Sequence, residues 1–196
     1  MKQIVCVSGP HGGGKTTLIE RLIKDTRFKE PKFEIDFLSQ FGSFSKLADW
    51  ERSLIRLYHR VFMSSLTVDR EDGRTVLTSR GPLDSEAYIT AYYRLGWISD
   101  SEYQVLSSVL SVIPEPVPTI LLSPSSGVIQ ERLEGRIAQS VRSHRDKVFS
   151  REDSPEFVTA LRDAFMEAAD RPNVLLVSNN EDADIERIIA WVGSSN

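Results

Sequence analysis

The sequence has very little cysteine and no long hydrophobic run. A single cysteine, Cys6, occurs among 196 residues, which excludes a disulfide framework and any metal site built from several cysteines. No apolar stretch approaches the roughly 20 residues that a membrane-spanning helix needs, so we expect no transmembrane segment. The apolar run at the N-terminus is too short for a signal peptide. We therefore expect a cytoplasmic protein.

The chain also lacks an excess of positive charge. Its net charge is −4, which argues against nucleic acid polymers and anionic membranes as partners. Basic residues are nevertheless concentrated between residues 132 and 151, where six of them accompany two acidic residues. That segment carries +4 and leaves −8 for the remainder. A local cationic patch on an acidic protein favours a small anionic ligand.

Apolar runs that suit strands alternate along the chain with apolar residues at helical spacing. The predicted strands cover residues 3–7, 33–38, 74–78, 119–122 and 174–177. The predicted helices cover residues 16–24, 45–69, 84–95, 99–112, 126–139, 154–169 and 182–192. Such alternation predicts a parallel sheet covered by helices on both faces. We expect one three-layer α/β domain with a five-stranded parallel sheet over residues 1–196.

Residues Gly9–Thr16 match the phosphate-binding motif G-x-x-x-x-G-K-[ST] at every fixed position. They follow a predicted strand and open a predicted helix, a context in which glycines let backbone N–H groups surround phosphate oxygens. In such a loop Lys15 reaches the β- and γ-phosphates of ATP, and the Thr16 hydroxyl is a ligand of Mg²⁺. The motif predicts a P-loop NTPase fold with ATP and Mg²⁺ as cofactors. The predicted nucleotide-binding residues are Gly9, His11, Gly12, Gly13, Gly14, Lys15, Thr16 and Thr17. His11 could also act as a base or be a packing or hydrogen-bonding residue, and of these two roles we favour packing or hydrogen bonding.

Two large classes of P-loop protein fit the rest of the chain poorly. A GTPase needs a base-reading N-K-x-D sequence, and the nearest candidate, at residues 177–182, has no lysine. A transport or motor ATPase needs an aspartate at the end of a hydrophobic strand. The strand at 74–78 is followed by Ser79 instead. Both classes therefore fit less well than another kind of P-loop protein.

Three further segments, in order along the chain, resemble the thymidylate kinase and deoxynucleoside kinase group of P-loop kinases. Residues 76–88 (VLTSRGPLDSEAY) are similar to the third strand of that group and the helix after it. Residues 119–136 are similar to a strand and the helix that leads into an arginine-rich lid, here approximately 136–153, and residues 151–157 are similar to the start of the helix after that lid. The resemblance implies an ATP-dependent kinase that transfers the γ-phosphoryl group to a nucleoside monophosphate.

The same resemblance implies roles for five arginines. Arg80 would grip the phosphate of the acceptor or orient the acceptor beside the γ-phosphate. Arg132 or Arg136, four residues apart on one helical face, would stack on the adenine. Arg142 and Arg145 would close over the transferring phosphoryl group, where guanidinium groups meet developing negative charge. The predicted catalytic residues are Lys15, Arg80, Arg142 and Arg145.

Two positions depart from the pattern of the group. Ser79 stands where the group has an aspartate before its arginine, so a carboxylate near hydrated Mg²⁺ is missing unless Asp36 or Asp84 replaces it. Either of these is equally expected to be a helix cap or a solvated turn residue. Gln40 stands nearest to the usual glutamate after the second strand, and it is equally expected to be an ordinary residue at the end of a strand. Because an amide cannot accept the proton of a sugar hydroxyl, this change favours a monophosphate acceptor over a nucleoside.

The acceptor pocket is expected between the long helix at 45–69 and the helix after Arg80. On the long helix, Arg56, His59 and Arg60 either face acceptor phosphate or form a solvated surface, and we favour the solvated surface. The aromatic side chains that could stack on a base or pack in the core are Phe41, Phe44, Trp50, Tyr58, Tyr88 and Tyr92. The apolar stripe of this helix would equally suit a homodimer.

Two other functions stay open. A deoxynucleoside kinase of the same fold would phosphorylate a nucleoside that carries no phosphate. A nucleotide-binding protein without phosphoryl transfer would explain Ser79 and Gln40 as lost catalytic positions. In each case the partner is a small-molecule nucleotide or nucleoside.

Overall fold

The computed structural model describes residues 4–31, 44–65, 73–112, 117–138, 150–178 and 181–194. Five parallel strands form one sheet in the order β2-β3-β1-β4-β5. The strands are β1 (Ile4–Ser8), β2 (Phe28–Lys29), β3 (Thr75–Ser79), β4 (Thr119–Leu122) and β5 (Val174–Val177). Because β1 is central, and parallel strands end on the same side, the carboxyl ends of β1, β3 and β4 meet at one edge of the sheet.

Seven α-helices lie in the described residues. They are α1 (Lys15–Leu22), α2 (Asp49–Ser65), α3 (Pro82–Arg94), α4 (Asp100–Ser111), α5 (Ser126–Ala138), α6 (Pro155–Met166) and α7 (Asp182–Gly193). Two short 3₁₀ helices, Phe44–Lys46 and Ser150–Asp153, precede α2 and α6. No helix among the described residues is long and apolar enough to cross a membrane.

Alternate residues of β4 divide the core into two layers. Ile120 and Leu122 pack with Leu18 of α1 and Ile188 of α7 on one face of the sheet. Leu121 points the other way and packs with the helices α2, α3, α4 and α6. Side chains that alternate along a strand have opposite directions, so a strand buried on both faces is apolar throughout. The three-layer α/β architecture predicted from the sequence is confirmed.

Local sequence signals set the starts of two helices. The Ser99 hydroxyl accepts the Glu102 N–H, while the Glu102 carboxylate accepts the Ser99 N–H at 2.7 Å, which forms a capping box at α4. At α6 the Ser154 hydroxyl accepts the Phe157 N–H at 3.2 Å, and Pro155 takes the first helical position. Each cap satisfies backbone donors that the first helical turn leaves without partners.

Two elements differ from the sequence prediction. The second strand of the sheet is Phe28–Lys29, which pairs with β3 over two residues. No apolar run in the sequence predicts this strand. The strand predicted at 33–38 lies outside the described residues. The long helix begins at Asp49 rather than residue 45, because Phe44–Lys46 forms a 3₁₀ turn and Glu51 reaches back to accept the Ala48 N–H.

We expect the Cys6 thiol to be unreactive in the folded protein. The side chain is fully buried in β1, and burial raises the pKa of the thiol to about 12. At pH 8 the reactive thiolate is then roughly one part in ten thousand. Titration with a thiol-reactive disulfide reagent should find no thiol in native buffer and one thiol in guanidinium chloride. Rapid labelling of one thiol in native buffer would contradict this arrangement.

Candidate functional site

The loop between β1 and α1 folds around the ammonium group of Lys15. This ammonium donates hydrogen bonds to the carbonyl oxygens of Gly9 at 2.7 Å and Pro10 at 2.8 Å. The Gly13 N–H donates to the same Pro10 carbonyl at 3.1 Å and closes a turn inside the loop. Lys15 is 8% exposed. The loop therefore presents its lysine from within a tight backbone turn at the carboxyl edge of the sheet.

Gly9 is required by close approach to the neighbouring strand. Its φ is 140°, and a Cβ at this position would lie 2.2 Å from the carbonyl oxygen of Leu122 at the end of β4. Gly14, which immediately precedes α1, has a φ of 99° in the left-handed region. L-residues with side chains rarely adopt such values. These two glycines thus bring the loop against β4 and turn it into the helix.

The start of α1 is open to an anionic ligand. Thr16 and Thr17 are exposed in the first helical turn, which contains no acidic residue. Backbone N–H groups at a helix N-terminus, together with the helix dipole, attract phosphate. Thr16 offers an exposed hydroxyl oxygen there, and its role as a Mg²⁺ ligand stays a prediction.

Helix α5 covers one side of the loop. The Arg132 guanidinium donates to the carbonyl oxygens of Gly13 at 3.0 Å and Gly12 at 3.4 Å. The side chains of Ile129 and Leu133 lie 3.4 Å from the position of a Cβ on Gly12. These contacts fix the helix that leads toward the predicted lid against the P-loop.

His11 links the loop to two other elements. Its Nδ1 lies 3.3 Å from the Tyr88 hydroxyl of α3, and its Nε2 lies 3.2 Å from Oδ1 of Asp153. The ring is 3% exposed and stacks on Phe157 of α6, with 6.1 Å between ring centroids. This geometry favours the packing and hydrogen-bonding role for His11, and a direct nucleotide contact stays a prediction.

Two arginines meet at Tyr88, beside the loop. The guanidinium carbons of Arg60 and Arg80 lie 5.6 Å and 6.0 Å from the centroid of the Tyr88 ring. Arg60 is 5% exposed and donates to the Ser85 hydroxyl at 2.9 Å. Burial lowers the pKa of Arg60 to about 10, an effect that the Asp84 carboxylate opposes and the nearby charge of Arg80 reinforces. A buried cation with this balance favours an anion as its ligand.

A third arginine is held by a buried carboxylate. Arg56 is 7% exposed and donates to the Tyr92 hydroxyl at 3.0 Å and to Glu152 at 3.4 Å. The Tyr92 hydroxyl donates to the same Glu152 oxygen at 2.6 Å. Burial, followed by the charge of Glu152, raises the pKa of Tyr92 above its usual range, so this hydroxyl stays a donor. The solvated surface that we favoured for Arg56 and Arg60 is therefore wrong.

Solved structures of other proteins share the fold of this chain. No family model and no curated protein matches its sequence. Among solved structures, the deoxyadenosine kinase from M. mycoides with the products dCMP and a flexible dCDP bound has a TM-score of 0.71 at 16% identity, over 97% of this chain and 98% of that one. The structure of the same kinase with bound dATP has a TM-score of 0.69 at 16% identity, and the match covers 99% of this chain and 100% of that one. The thymidylate kinase from Candida albicans has a TM-score of 0.66 at 17% identity, and the match covers 98% of this chain and 92% of that one.

The chain has the fold of the thymidylate and deoxynucleoside kinase group. The resemblance found in the sequence is confirmed at this level, because solved structures from both branches of the group cover nearly the whole chain. In this fold, the P-loop of this chain and its cluster of Arg56, Arg60 and Arg80 lie on either side of the His11–Tyr88 contact.

The structure places Ser79 and Asp84 differently with respect to the solvent. Ser79 is exposed at the end of β3. Asp84 is fully buried, and its Oδ2 accepts the Gly81 N–H at 2.9 Å. Asp84 is therefore a cap of α3 and not a solvated turn residue. The other candidate positions, Asp36 and Gln40, lie outside the described residues.

The predicted lid is described only at its two ends. Arg132 contacts the P-loop, and its stacking on adenine stays a prediction. Arg142 and Arg145 lie outside the described residues, and nothing is described of the Arg136 side chain, so their roles stay predictions too.

Sequence reasoning missed Glu152 and Asp153. Neither belongs to a motif, and both look like ordinary acidic residues before a helix. The one available signal is their place in residues 151–157, the segment similar to the start of the helix after a kinase lid. Their contacts depend on the packing of distant elements, which no local pattern contains.

We expect Gly9→Ala to destabilise the protein by at least about 2 kcal/mol, because the new Cβ meets the Leu122 carbonyl and the residue keeps a strained φ. The matched control is Gly127→Ala in α5, where a Cβ has no neighbour within 4 Å. That change should raise stability by up to about 1 kcal/mol through helix propensity. Urea unfolding of the two variants measures both effects. Equal stability of both variants would contradict the loop geometry.

Proposed function

We propose that the protein is an ATP-dependent phosphotransferase that transfers the γ-phosphoryl group to a nucleoside monophosphate. One observation carries this proposal. Tyr88 contacts His11 of the P-loop by its hydroxyl, and its ring contacts two arginines, the buried Arg60 and the half-buried Arg80. A donor phosphate and an acceptor anion would thus bind side by side.

The donor would be ATP. Lys15, now bonded to the loop carbonyls, would turn to the β- and γ-phosphates. The Thr16 hydroxyl would hold Mg²⁺, and the bound ion would neutralise part of the negative charge of the phosphates. Thr17 and the glycine amides would complete the donor site, and Arg132 or Arg136 would contact the adenine.

The charge of the acceptor side supports a monophosphate. Guanidinium groups are donors only and always cationic, so Arg60 and Arg80 match phosphate oxygens rather than a neutral hydroxyl. Arg60 in particular is out of water and is partnered by a hydroxyl and an aromatic ring. Gln40 in place of a general base supports the same acceptor, because an ionised phosphate needs no deprotonation.

In the proposed reaction an acceptor phosphate oxygen attacks the γ-phosphorus in line with the leaving group. A new P–O bond forms, the bond between the γ-phosphorus and the β–γ bridging oxygen breaks, and ADP leaves with those electrons. Catalysis rests on positioning and on cationic groups around the transferred phosphoryl, here Lys15 and Arg80 with Arg142 and Arg145 of the lid.

The location and assembly are also proposals. The enzyme would act in the cytoplasm, where its nucleotide substrates occur. A homodimer would pack through α2, whose Tyr58 and Phe62 are 66% and 42% exposed while Leu57 of the same helix is fully buried in the core.

A bare deoxynucleoside is the alternative acceptor, favoured by the likeness to a deoxyadenosine kinase. The decisive measurement is ADP release from Mg-ATP across a panel of nucleosides and nucleoside monophosphates. We expect a monophosphate to raise turnover well above the water rate. Stimulation by a bare nucleoside alone would favour the alternative acceptor. ATP binding without stimulation by any member would favour a nucleotide-binding protein without transfer.

We expect Lys15→Ala to lower the monophosphate-dependent rate of ADP release by about 100-fold or more, because it removes a cation from the transferring phosphates. Lys24→Ala is the matched control, since this lysine follows α1 outside the loop. It should keep the rate of the unaltered protein. A Lys15→Ala variant with an unchanged rate would remove the P-loop from the mechanism.

We expect Arg60→Met to raise the KM for the monophosphate by about 10- to 100-fold, the cost of one hydrogen-bonded charge contact. The KM for ATP should stay nearly the same, because Arg60 lies on the acceptor side. Arg94→Met is the control, as Arg94 forms a surface ion pair with Glu167. Steady-state kinetics with either substrate varied separates the two constants. A selective rise in the KM for ATP would contradict the assignment.

A further inference from the structure

Three consecutive residues after the predicted lid each contact a different part of the molecule. The Arg151 guanidinium lies 3.7 Å from the centre of the Trp97 ring and forms an ion pair with Asp49 at 3.6 Å, at the start of α2. Glu152 accepts from Tyr92 of α3 at 2.6 Å and from Arg56 of α2 at 3.4 Å. The third residue, Asp153, faces the P-loop. We call Arg151–Asp153 the junction.

The contact of Asp153 reaches the donor side. Its Oδ1 lies 3.2 Å from Nε2 of His11 in the P-loop, and its side chain is 16% exposed. The His11 ring is 3% exposed and rests on Phe157 of α6. A movement of the loop around phosphate would therefore displace a ring that contacts the junction.

The contact of Glu152 reaches the acceptor side. Glu152 is 3% exposed, so its carboxylate depends on Arg56 and Tyr92 in place of water. Arg56 lies one helical turn before Arg60 on the same face of α2, and Arg60 contacts Tyr88 in the arginine cluster. Arg56 and Glu152 also share the Tyr92 hydroxyl as a hydrogen-bond partner. The Arg56–Glu152 ion pair therefore ties the junction to α2.

From these contacts we propose that the junction couples the two halves of the site, with Glu152 and Asp153 as positioning residues. Binding of the donor at the P-loop would order α2 through His11, Asp153, Glu152 and Arg56, and so prepare the arginine cluster for the acceptor. The inference rests on the proposed function, because it assumes a nucleotide at the P-loop. It adds that donor and acceptor sites communicate through a segment that need not touch either substrate.

The test is amide hydrogen exchange of α2 peptides with and without saturating Mg-AMP-PNP, an ATP analogue that cannot transfer its terminal group. Calorimetry first establishes saturation for each protein. In the unaltered chain we expect the analogue to slow exchange in α2, which is remote from the P-loop in sequence. Glu152→Gln and Asp153→Ala should lose this slowing while they still bind the analogue.

The matched controls are Glu156→Gln and Asp163→Ala, the same changes at exposed carboxylates of α6. Both should keep the slowing in α2. Because the readout is the difference between free and bound states of one variant, a general loosening of the fold does not imitate it. Asp153→Ala, at a partly exposed side chain, remains informative if Glu152→Gln does not fold.

The outcomes separate the two proposals. If the unaltered chain binds Mg-AMP-PNP without any change in α2, or if both junction variants keep the slowing, the coupling is overturned and the proposed function stands. If the unaltered chain does not bind Mg-AMP-PNP at all, the proposed function fails and the coupling fails with it. Loss of the slowing in the junction variants alone supports the coupling.

Discussion

Burial of the Arg56 and Arg60 guanidinium groups between α2 and α3 constrains the rest of the site. A guanidinium that leaves water needs a counter-charge or a set of acceptors, and losing one partner of a buried pair costs about 3–5 kcal/mol. Arg56 obtains Glu152 and the Tyr92 hydroxyl, whereas Arg60 obtains the Ser85 hydroxyl and the face of Tyr88. These partners come from separate parts of the chain, so the helices cannot shift independently.

An aromatic layer beneath these charges keeps the geometry rigid. Trp97 and Phe157 stack with centroids 5.1 Å apart, and Tyr92 lies 5.5 Å from each of them. Tyr88 continues the layer toward His11, at 5.8 Å from Phe157. Rings in contact are close-packed and have few rotamers, so the hydroxyl groups at their edges have defined positions. The layer thereby joins the hydrophobic core to the polar site above it.

Much of the fold could be predicted because its signals are local. The strands at 119–122 and 174–177 have the predicted bounds, and the helices predicted from 99 and 154 begin directly after Ser99 and Ser154, which cap them. The P-loop belongs to the same class, since a contiguous motif specifies both a turn and the start of a helix. The two-residue strand at Phe28–Lys29 could not be predicted, because its pairing with β3 arises from the sheet rather than from its own residues.

The candidate site, like the fold, has features that the sequence predicts and features that depend on tertiary packing. The sequence by itself determined the three-layer α/β class, the glycine-rich loop around Lys15 and the presence of Arg80 at the end of β3. Only the tertiary structure decided that Arg56 and Arg60 are buried, that Asp84 caps α3, and that the junction residues contact the loop and α2. The physical reason is the distance in sequence between the residues that interact. Backbone turns and helix starts are set by neighbours in sequence, whereas the burial and pairing of a charge depend on residues 25 to 142 positions away that packing alone brings together.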